Sequence, residues 1–415
     1  MSRFFGLALS LFALLLATSC ASSRSGTQPP ATTSHSFATY RAAARVSKSD
    51  TDVGLAIFRR LMHDARSDEN PVVSPWGLGR AMDILYNGAA GKTKADMTRA
   101  LHLDALDVEA VDGANEWLAR NFTSAAGGVS IQSADTLWYE TGLQLDPNFA
   151  DRIATAFGVR LQSIDFANRN AAAQIDDWVR ANSRGGNPAF TAPVDEFTRA
   201  LLVDVLNMDG LWNKHFDPAL TRPHEFTTAS GRPVTVAMMK MTDSFAHAQG
   251  AGYQVVSIPY HGWQLSMDII LPEASSKGMR SVESVLRSTS LDNLLGRAPH
   301  ARGTVEIPRF DVRFSANLNG PISQLGLGRI FDPTGADFSG MWVHANYPVN
   351  RVLQQCYVSV NEWGTRAGST TTVTMQALVK PSAPFTLLAD HPFVFLIRDS
   401  EIGTVLFAGL VNNPS

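Results

Sequence analysis

Apolar residues recur at helical spacing near the start of the main body of the chain. Val53, Ile57, Phe58 and Leu61 would share one face if residues 53–62 were helical, because residues three and four positions apart lie on the same side of a helix. The pattern therefore predicts an amphipathic helix that buries this face against a core.

Boundary signals predict two further helices. Ser74 is a suitable N-cap, and Pro75 suits the first helical position, where its missing N–H costs nothing. Gly88 can take the left-handed conformation that closes a helix, so we predict a helix between these residues. Thr93 and Asp96 resemble a capping box and predict another helix directly after it.

Stretches with a β pattern dominate the rest of the chain. They are separated by helices predicted at residues 172–183 and 318–325, without regular β-α-β alternation. This order favours an α+β fold with large, mostly antiparallel sheets. The strands are predicted at residues 128–139, 226, 234–239, 255–259, 265–271, 305–314 and 392–411.

The first residues predict export. Arg3 precedes an apolar run over residues 4–17 that is too short to span a bilayer, so residues 1–20 are predicted to be a signal peptide. Its end resembles the lipobox of bacterial lipoproteins, which makes Cys20 the predicted lipidation site; ordinary cleavage nearby is the alternative. Because Ala21 replaces the aspartate that favours inner-membrane retention, we expect an outer-membrane or cell-surface lipoprotein, or otherwise a secreted protein.

Composition predicts a tether followed by one large domain. Residues 21–45 are rich in Ser, Thr, Ala and Pro and cannot bury enough apolar surface to become ordered. Residues 46–415 are predicted to form the folded domain. The whole chain has 45% hydrophobic and 18% charged residues, which is ordinary for a globular protein. Its net charge of -3 gives no reason to expect nucleic acid as a partner.

No motif predicts catalysis or a cofactor. Residues 88–93 include Gly-Lys-Thr, but two residues separate the glycines where a phosphate loop needs four. The histidines include no pair at zinc-protease spacing, and Cys356, the one thiol left if Cys20 is lipidated, cannot form a thiolate cluster alone. We expect no cofactor, no metal and no enzymatic activity. A hydrolase whose Ser, His and Asp are assembled by the fold alone is the enzymatic alternative.

A long segment of small and polar residues follows Glu362 and continues to Pro381. It lies between two stretches with a strong β pattern. A surface loop is the simplest interpretation. Its many threonines and valines, however, have the composition of a strand that has not yet joined a sheet.

Several separate motifs, in order from about residue 47 to the C-terminus, resemble the serpin family. No single one of them carries the resemblance. They are Asn70, Ser74-Pro75, Gly88-Ala89 with Thr93, Trp212, Phe216, Phe226, residues 236–239, residues 336–340, residues 358–362 with Gly364-Thr365, residues 390–395 and residues 406–409.

The resemblance implies a metastable fold of about eight or nine helices, with an exposed reactive-centre loop above a five-stranded sheet. A target serine protease cuts the loop, and the freed strand inserts into the sheet before the acyl-enzyme is hydrolysed. The implied function is suicide inhibition of a serine endopeptidase through a covalent complex. We expect a monomer that meets a membrane only through its lipid anchor. A non-inhibitory serpin that acts as a binding module is the alternative.

The hinge of the loop has side chains that can enter a sheet. In a strand, alternate residues share one face, and the predicted inserting face carries no charge. Arg366 falls on the opposite face, and no proline interrupts the ladder before Pro381. Insertion is therefore predicted. The hinge comprises Glu362, Gly364, Thr365, Ala367, Ser369 and Thr371, and the inserting face continues with Val373 and Met375.

Counting from the glutamate of the hinge, as the resemblance implies, places the reactive bond between Leu378 and Val379. A large apolar residue before the cut suits chymotrypsin-like proteases. Ala377, one residue earlier, would suit elastase-like enzymes. Lys380 is a weaker candidate for trypsin-like enzymes.

The resemblance also implies a region that controls opening of the sheet, here Ser74, Trp212 and Gln354. The chain departs from the family at two places in it, because Gly77 stands where serine is common and Gln354 stands where histidine is common. We expect a hydrogen-bond network built differently. Trp363 is also bulky for its place in the hinge.

Overall fold

This computed structural model describes residues 37–123, 129–183, 194–274, 278–287, 298–365 and 384–415. These residues include eight α-helices and fifteen strands. They confirm the α+β fold. None of these helices has the length and apolar character needed to cross a membrane. The helices are α1 (Phe37–Asp64), α2 (Pro75–Gly88), α3 (Gly91–Ala100), α4 (Val108–Thr123), α5 (Pro147–Phe157), α6 (Ala171–Asn182), α7 (Gly278–Val285) and α8 (Asn319–Ile322).

Helix α1 begins earlier than the sequence predicted. It contains the predicted helix at 53–62, but also residues 37–45, which were assigned to the tether. Ala42 and Ala43 are buried in the main core, and Tyr40 packs edge-on against Trp117 of α4 with ring centroids 5.7 Å apart. The small residues that were predicted to be disordered form one face of a helix. That face is buried because α4 packs against it, and the sequence alone does not reveal this contact.

Helix α2 has the start that its sequence predicts, and every residue in it is buried. The Ser74 hydroxyl accepts a hydrogen bond from the N–H of Gly77 at 2.9 Å, and Pro75 occupies the first turn. The predicted role of Gly88 is wrong, because the helix ends at an extended cap, Ala89, and Gly88 remains helical. A side chain at position 88 would meet Met341 at 2.8 Å, so close packing explains the glycine.

The predicted capping box of α3 is also wrong. The helix starts two residues before Thr93, at an N-cap that makes no side-chain hydrogen bond. Thr93 instead accepts a hydrogen bond from the N–H of Asp337 at 2.8 Å, and Asp96 forms an ion pair with Arg329 at 2.8 Å. Both side chains fix α3 to a distant segment of the chain.

The strands form one nine-stranded and one six-stranded sheet. Most neighbouring strands are antiparallel, and the pairs β4–β11, β2–β3 and β9–β13 are parallel. The strands are β1 (Val72–Val73), β2 (Val129–Glu140), β3 (Arg160–Ile164), β4 (Ala200–Leu211), β5 (Arg222–Thr227), β6 (Pro233–Gly250), β7 (Tyr253–Pro259), β8 (Leu265–Pro272), β9 (His300–Pro308), β10 (Phe310–Asn317), β11 (Arg351–Asn361), β12 (Gly364–Thr365), β13 (Phe385–Leu388), β14 (Phe393–Asp399) and β15 (Val405–Val411).

The six-stranded sheet has the order β10-β11-β12-β4-β2-β3. One of its central strands, β4, was not predicted from the sequence. In β4, Leu202 and Leu206 face the main core, while Leu201 and Val203 pack in a second cluster with residues of α6. A strand buried on both faces shows no apolar-polar alternation, so the period that reveals a half-buried strand is missing.

Candidate functional site

The hinge begins with a tight hairpin at one end of the six-stranded sheet. Strand β11 ends at Asn361, and after a two-residue turn β12 runs back beside it, with Thr365 opposite Val360. On its other side β12 pairs with β4, where Thr365 lies opposite Gly210. The first residues of the hinge are therefore already a short strand between β4 and β11.

Gly364 makes this hairpin possible. Its φ is +154°, and a Cβ atom there would lie 1.9 Å from the carbonyl oxygen of Gly210. Only glycine combines this conformation with so close an approach of two backbones. The glycine that the resemblance placed in the hinge has a direct steric reason.

Glu362 fixes the turn of the hairpin. Arg309 Nε lies 2.8 Å from each of its carboxylate oxygens, and the Thr221 hydroxyl donates to it at 2.6 Å. The side chain of Glu362 is only 3% exposed. Burial alone would raise the pKa of Glu362, but the hydrogen bonds from Arg309 and Thr221 outweigh it and hold the pKa below its usual range. The carboxylate is therefore a charged anchor.

The segment 212–216 clamps the same turn from the other side. The backbone N–H of Trp212 donates to the carbonyl of Trp363 at 2.9 Å, and its indole N–H donates to the carbonyl of Asn361 at 3.0 Å. The ring of His215 stacks on Trp363 with centroids 4.9 Å apart. The bulky Trp363 thus has a stacking partner in His215. Trp212 contacts the hinge, and its hydrogen bonds and ring contacts within the described part of the chain involve neither Ser74 nor Gln354.

Thr365 is the first buried residue of the returning strand. It is 1% exposed, and its hydroxyl lies 2.5 Å from that of Tyr260. Burial raises the pKa of Tyr260, so the phenol stays neutral and can donate or accept. Tyr260 in turn stacks on Trp212, with ring centroids 4.6 Å apart. The face predicted to insert does point into the core at its first position.

Beyond the hairpin, β4 and β11 pair directly with each other. We call this stretch, from Leu201 opposite Arg351 to Leu206 opposite Cys356, the seam. Any strand that extends β12 has to enter here. The seam is parallel, whereas each of its strands runs antiparallel to β12.

Gln354 makes three buried hydrogen bonds, one of which crosses the seam. Its amide oxygen accepts from the N–H of Ser74 at 2.8 Å, and its amide nitrogen donates to the carbonyl of Ser74 at 3.0 Å. The same nitrogen donates to the carboxylate of Asp204 across the seam at 2.8 Å. Two of the residues assigned to sheet opening are therefore in direct contact.

A group of buried acids surrounds this contact. Burial, then the nearby carboxylate of Asp135, raises the pKa of Asp204 well above its usual value. Asp135 lies opposite Asp204 on β2 and forms an ion pair at 3.0 Å with Arg80 of α2. Burial, together with the carboxylate of Asp83, also raises the pKa of Asp50. Low dielectric and mutual repulsion favour the neutral forms of Asp204 and Asp50.

The altered network has a steric origin at Gly77. A Cβ atom at that position would lie 2.4 Å from the carboxylate of Asp204. A serine at position 77 is therefore incompatible with Asp204 in this position. Instead, the Gln354 amide donates to the Asp204 carboxylate across the strands.

Of the residues predicted from the sequence, the structure describes Ser74, Trp212, Gln354, Glu362, Gly364 and Thr365. Arg309, Thr221, Tyr260 and Asp204 were missed, because polar residues inside strands and loops carry no sequence signal for distant partners. Cys356 is buried on β11, and its thiol pKa is raised by that burial. Within the described ranges, no group of His, Cys, Asp and Glu side chains could hold a metal ion. Ala367, Ser369, Thr371, Leu378, Val379 and Cys20 lie outside the described residues.

Comparison with known protein families gives one extensive match. The model of the family described as "Serpin (serine protease inhibitor)" matches residues 48–414. Plasminogen activator inhibitor 1 from Neovison vison is 29% identical over 385 residues, which cover 91% of this chain and 95% of that protein. Leukocyte elastase inhibitor from Homo sapiens is 29% identical over 390 residues, which cover 89% of this chain and 100% of that protein.

Solved structures show the same fold. Native protease nexin-1 with heparin superposes with a TM-score of 0.80 at 24% identity, covering 90% of this chain and 100% of that one. Human thyroxine-binding globulin superposes with a TM-score of 0.81 at 20% identity and the same coverage. At these identities the likeness concerns the fold alone.

Proposed function

Because this chain belongs to the serpin family, we propose that it inhibits serine endopeptidases by inserting its cleaved loop into the six-stranded sheet. One observation carries the proposal. The hairpin of Gly364 and Thr365 already lies between β4 and β11, so the first step of insertion is present before any cleavage.

The register of the sheet supports continued insertion. In the hairpin, Thr365 pairs with both Val360 and Gly210, and in the seam Gln354 pairs with Asp204. In both places, the β11 residue lies 150 positions after the β4 residue at the same level, so the two strands keep one register. A strand that grows from β12 therefore needs β4 and β11 to move apart sideways without sliding along each other.

Insertion also has a favourable energy balance. Continuing the register pairs residues 366–374 with 351–359 of β11 and 201–209 of β4. We expect a net gain of about ten backbone hydrogen bonds at roughly 0.5–1.5 kcal/mol each. The six residue pairs of the seam and the bonds of Gln354 oppose it. They hold the sheet closed until the loop is cut.

The chemistry assigned to the loop is ordinary acyl transfer. The protease serine attacks the carbonyl carbon of Leu378, the bond to Val379 breaks, and the amine of Val379 leaves with a proton. The ester then joins the protease to Leu378. Insertion of the segment before Leu378 carries the protease away from its starting position before water attacks the ester. Leu378 supports chymotrypsin-like targets, and Ala377 supports elastase-like ones.

The test is to mix the purified full chain with chymotrypsin, elastase and trypsin and to analyse the products on denaturing gels. We expect a complex that survives denaturation and a released peptide that starts at Val379. Clean cleavage without a complex would contradict trapping and support the non-inhibitory alternative. A peptide starting elsewhere would relocate the reactive bond only.

We also propose that the protein is exported and anchored as a lipoprotein through Cys20, at the bacterial outer membrane or cell surface. The apolar run at residues 4–17 and the small residues before the cysteine support this. Expression of the wild type and a Cys20→Ser variant with a radiolabelled fatty acid should label the wild type alone. Equal labelling, or none in either, would contradict the anchor.

A further inference from the structure

Two aspartates lie directly opposite each other on β2 and β4, next to the seam. Asp135 is the β2 partner of Asp204, and the two residues are 3% and 2% exposed. Directly opposite residues have Cβ atoms about 4.5–5.5 Å apart, which brings two short carboxyl side chains within reach of each other. Two negative charges this close, in a site without bulk water, would repel each other strongly.

Each of these carboxyl groups has one oxygen with donors and one oxygen without. Asp135 Oδ2 accepts from Arg80 at 3.0 Å and from the Ser133 hydroxyl at 3.2 Å. Asp204 Oδ2 accepts from Gln354 at 2.8 Å. The Oδ1 atom of each aspartate is buried and accepts no hydrogen bond from any N–H or O–H group in the described part of the chain. A buried acceptor without a donor is costly, so the pair lacks one hydrogen.

The surroundings hold too little positive charge for two ionised carboxylates. Arg80 is the one buried cation of the described ranges, and it donates through Nη2 to Asp135 and to the carbonyl of Phe157. Several carboxyl groups therefore compete for a single guanidinium, which favours a neutral form for some of them. The other titratable groups around the pair are Asp50 of α1, Asp83 of α2 and Cys356 of β11, with Asp112 of α4 and Arg152 of α5 beyond Asp83.

We propose that Asp204 carries a proton and donates it from Oδ1 to Oδ1 of Asp135, so that a hydrogen bond between two carboxyl groups locks β2 to β4. One proton satisfies both orphan oxygens. Asp135 is the acceptor because it is the partner of Arg80. The raised pKa of Asp204, caused first by burial and then by Asp135, agrees with this assignment. The lock is independent of the proposed function.

The lock continues into a line of bonds across the sheet. It runs from Arg80 of α2 through Asp135 and Asp204 to Gln354, which bonds to the backbone of Ser74 just before α2. Loss of the proton would replace the bond between β2 and β4 by repulsion between directly opposite charges. The structure thus contains an acid-dependent device that holds the sheet together on the β4 side of the seam.

The sign of the pH dependence follows from the raised pKa of Asp204. In the unfolded chain an aspartate titrates near about pH 4, so above that pH only the native state keeps this proton. The stabilisation by the lock is fully present below the unfolded pKa. It is lost as the pH rises through the native pKa of Asp204.

The test compares urea unfolding of the wild-type full chain and an Asp204→Asn variant from about pH 5 to about pH 8. The amide of the variant has a permanent hydrogen for Asp135 and an oxygen for Gln354. We expect the variant to match the wild type at the acid end and to be more stable at the alkaline end. The unfolding constant of the wild type should rise more steeply, by up to about tenfold per pH unit. Asp151→Asn, changed at an exposed site on α5, is the control and should follow the wild type throughout.

Asp135→Asn repeats the test from the other strand. It also removes the partner of Arg80, so the slope against pH is compared and not the stability itself, and this slope should again be shallower than that of the wild type. An Asp204→Asn chain with the wild-type slope, or one destabilised equally at every pH, would overturn the lock. Failure of both variants to fold at the acid end would overturn it too, because an amide should satisfy the same oxygens. None of these measurements involves a protease, so the lock and the proposed inhibitory function fail separately.

Discussion

At the scale of single residues, buried ionisable groups are concentrated near the seam. Asp50, Asp83, Asp135 and Asp204 are all buried near Arg80, the cation that pairs with Asp135. The energetic cost of this arrangement depends on which carboxyl groups carry a proton. Stability of the native state should therefore depend on pH.

We predict that the free energy of unfolding falls as pH rises from about 4 to about 7. Burial first, and the nearby Asp112 carboxylate, raise the pKa of Asp83 to about 7, despite a hydrogen bond from Asn115. Between the ordinary pKa and this one, the native state holds a proton that the unfolded chain has released. Stability then declines by up to roughly 1.4 kcal/mol per pH unit for each such group.

Urea unfolding across this pH range measures the slope. An Asp83→Asn variant should show a shallower decline than the wild type, because it lacks one titrating group. Asp151, which is exposed on α5, provides the control substitution Asp151→Asn, and its slope should match the wild type. Parallel profiles for all three proteins would refute the role of Asp83.

Arg309→Ala is predicted to destabilise the native chain by about 1.5–3 kcal/mol, the usual range for hydrogen bonds to a charged group. It leaves the carboxylate of Glu362, 3% exposed, with Thr221 as its remaining side-chain donor. Arg60→Ala removes an exposed pair with Asp64 and should cost less than about 0.5 kcal/mol. Urea midpoints that shift equally in both variants would contradict the anchoring role of Arg309.

At the scale of elements, the hairpin of β11 and β12 is the part of the structure from which the proposed insertion would start. Its turn is clamped by Arg309 and by the 212–216 segment. In the proposed mechanism, β12 would extend from this fixed end, so no new strand would have to be nucleated. Substitutions that displace the hairpin should leave cleavage intact and abolish trapping.

Gly364→Ala is expected to turn the inhibitor into a substrate, because a Cβ atom would collide with the carbonyl of Gly210. Denaturing gels should show the cleaved chain without the covalent complex. Gly320→Ala is the control, since nothing lies within 4 Å of a Cβ atom there. A normal yield of complex from Gly364→Ala would show that trapping does not require β12 to pair with β4 and β11.

Thr365→Arg should have the same outcome for an electrostatic reason. It places a charge at a site that is 1% exposed, against Tyr260, where an unpaired charge is strongly disfavoured. Thr365→Ser keeps the hydroxyl and should retain most of the complex. Inhibition retained by Thr365→Arg contradicts insertion along this face.

At the scale of the whole molecule, the proposed mechanism requires the native fold to store free energy. The seam holds six residue pairs between β4 and β11, while an inserted strand would pair with both neighbours along their length. The uncut chain is therefore expected to be less stable than the cut one. In the proposed mechanism, this difference is the driving force that moves a bound protease.

Loop cleavage is expected to raise the unfolding temperature by at least about 10 °C, since a net gain of several hydrogen bonds corresponds to a few degrees for each kcal/mol. Calorimetry before and after cutting with a non-target protease measures the change. The Gly364→Ala chain, cut at the same bond, is the control and should gain much less. An unchanged transition in the wild type would indicate an inert loop.

The sequence by itself determined the elements whose signals are local. The cap of α2 at Ser74 and the helical period at residues 53–62 could both be assigned without coordinates. Both features depend on neighbours within a few residues, where spacing and side-chain type are sufficient. The family resemblance was also assigned from the sequence, but from several separate motifs in order along the chain.

Only the tertiary structure decided how the sheet is closed and where the hinge is anchored. Asp204 and Gln354 are 150 residues apart, and Arg309 and Glu362 are 53 residues apart. No local pattern connects such pairs, because their partners are set by strand register and by what each strand buries. The same is true of Gly88, whose place follows from Met341 packing against it. Contacts of this kind exist only once the strands and helices have assembled.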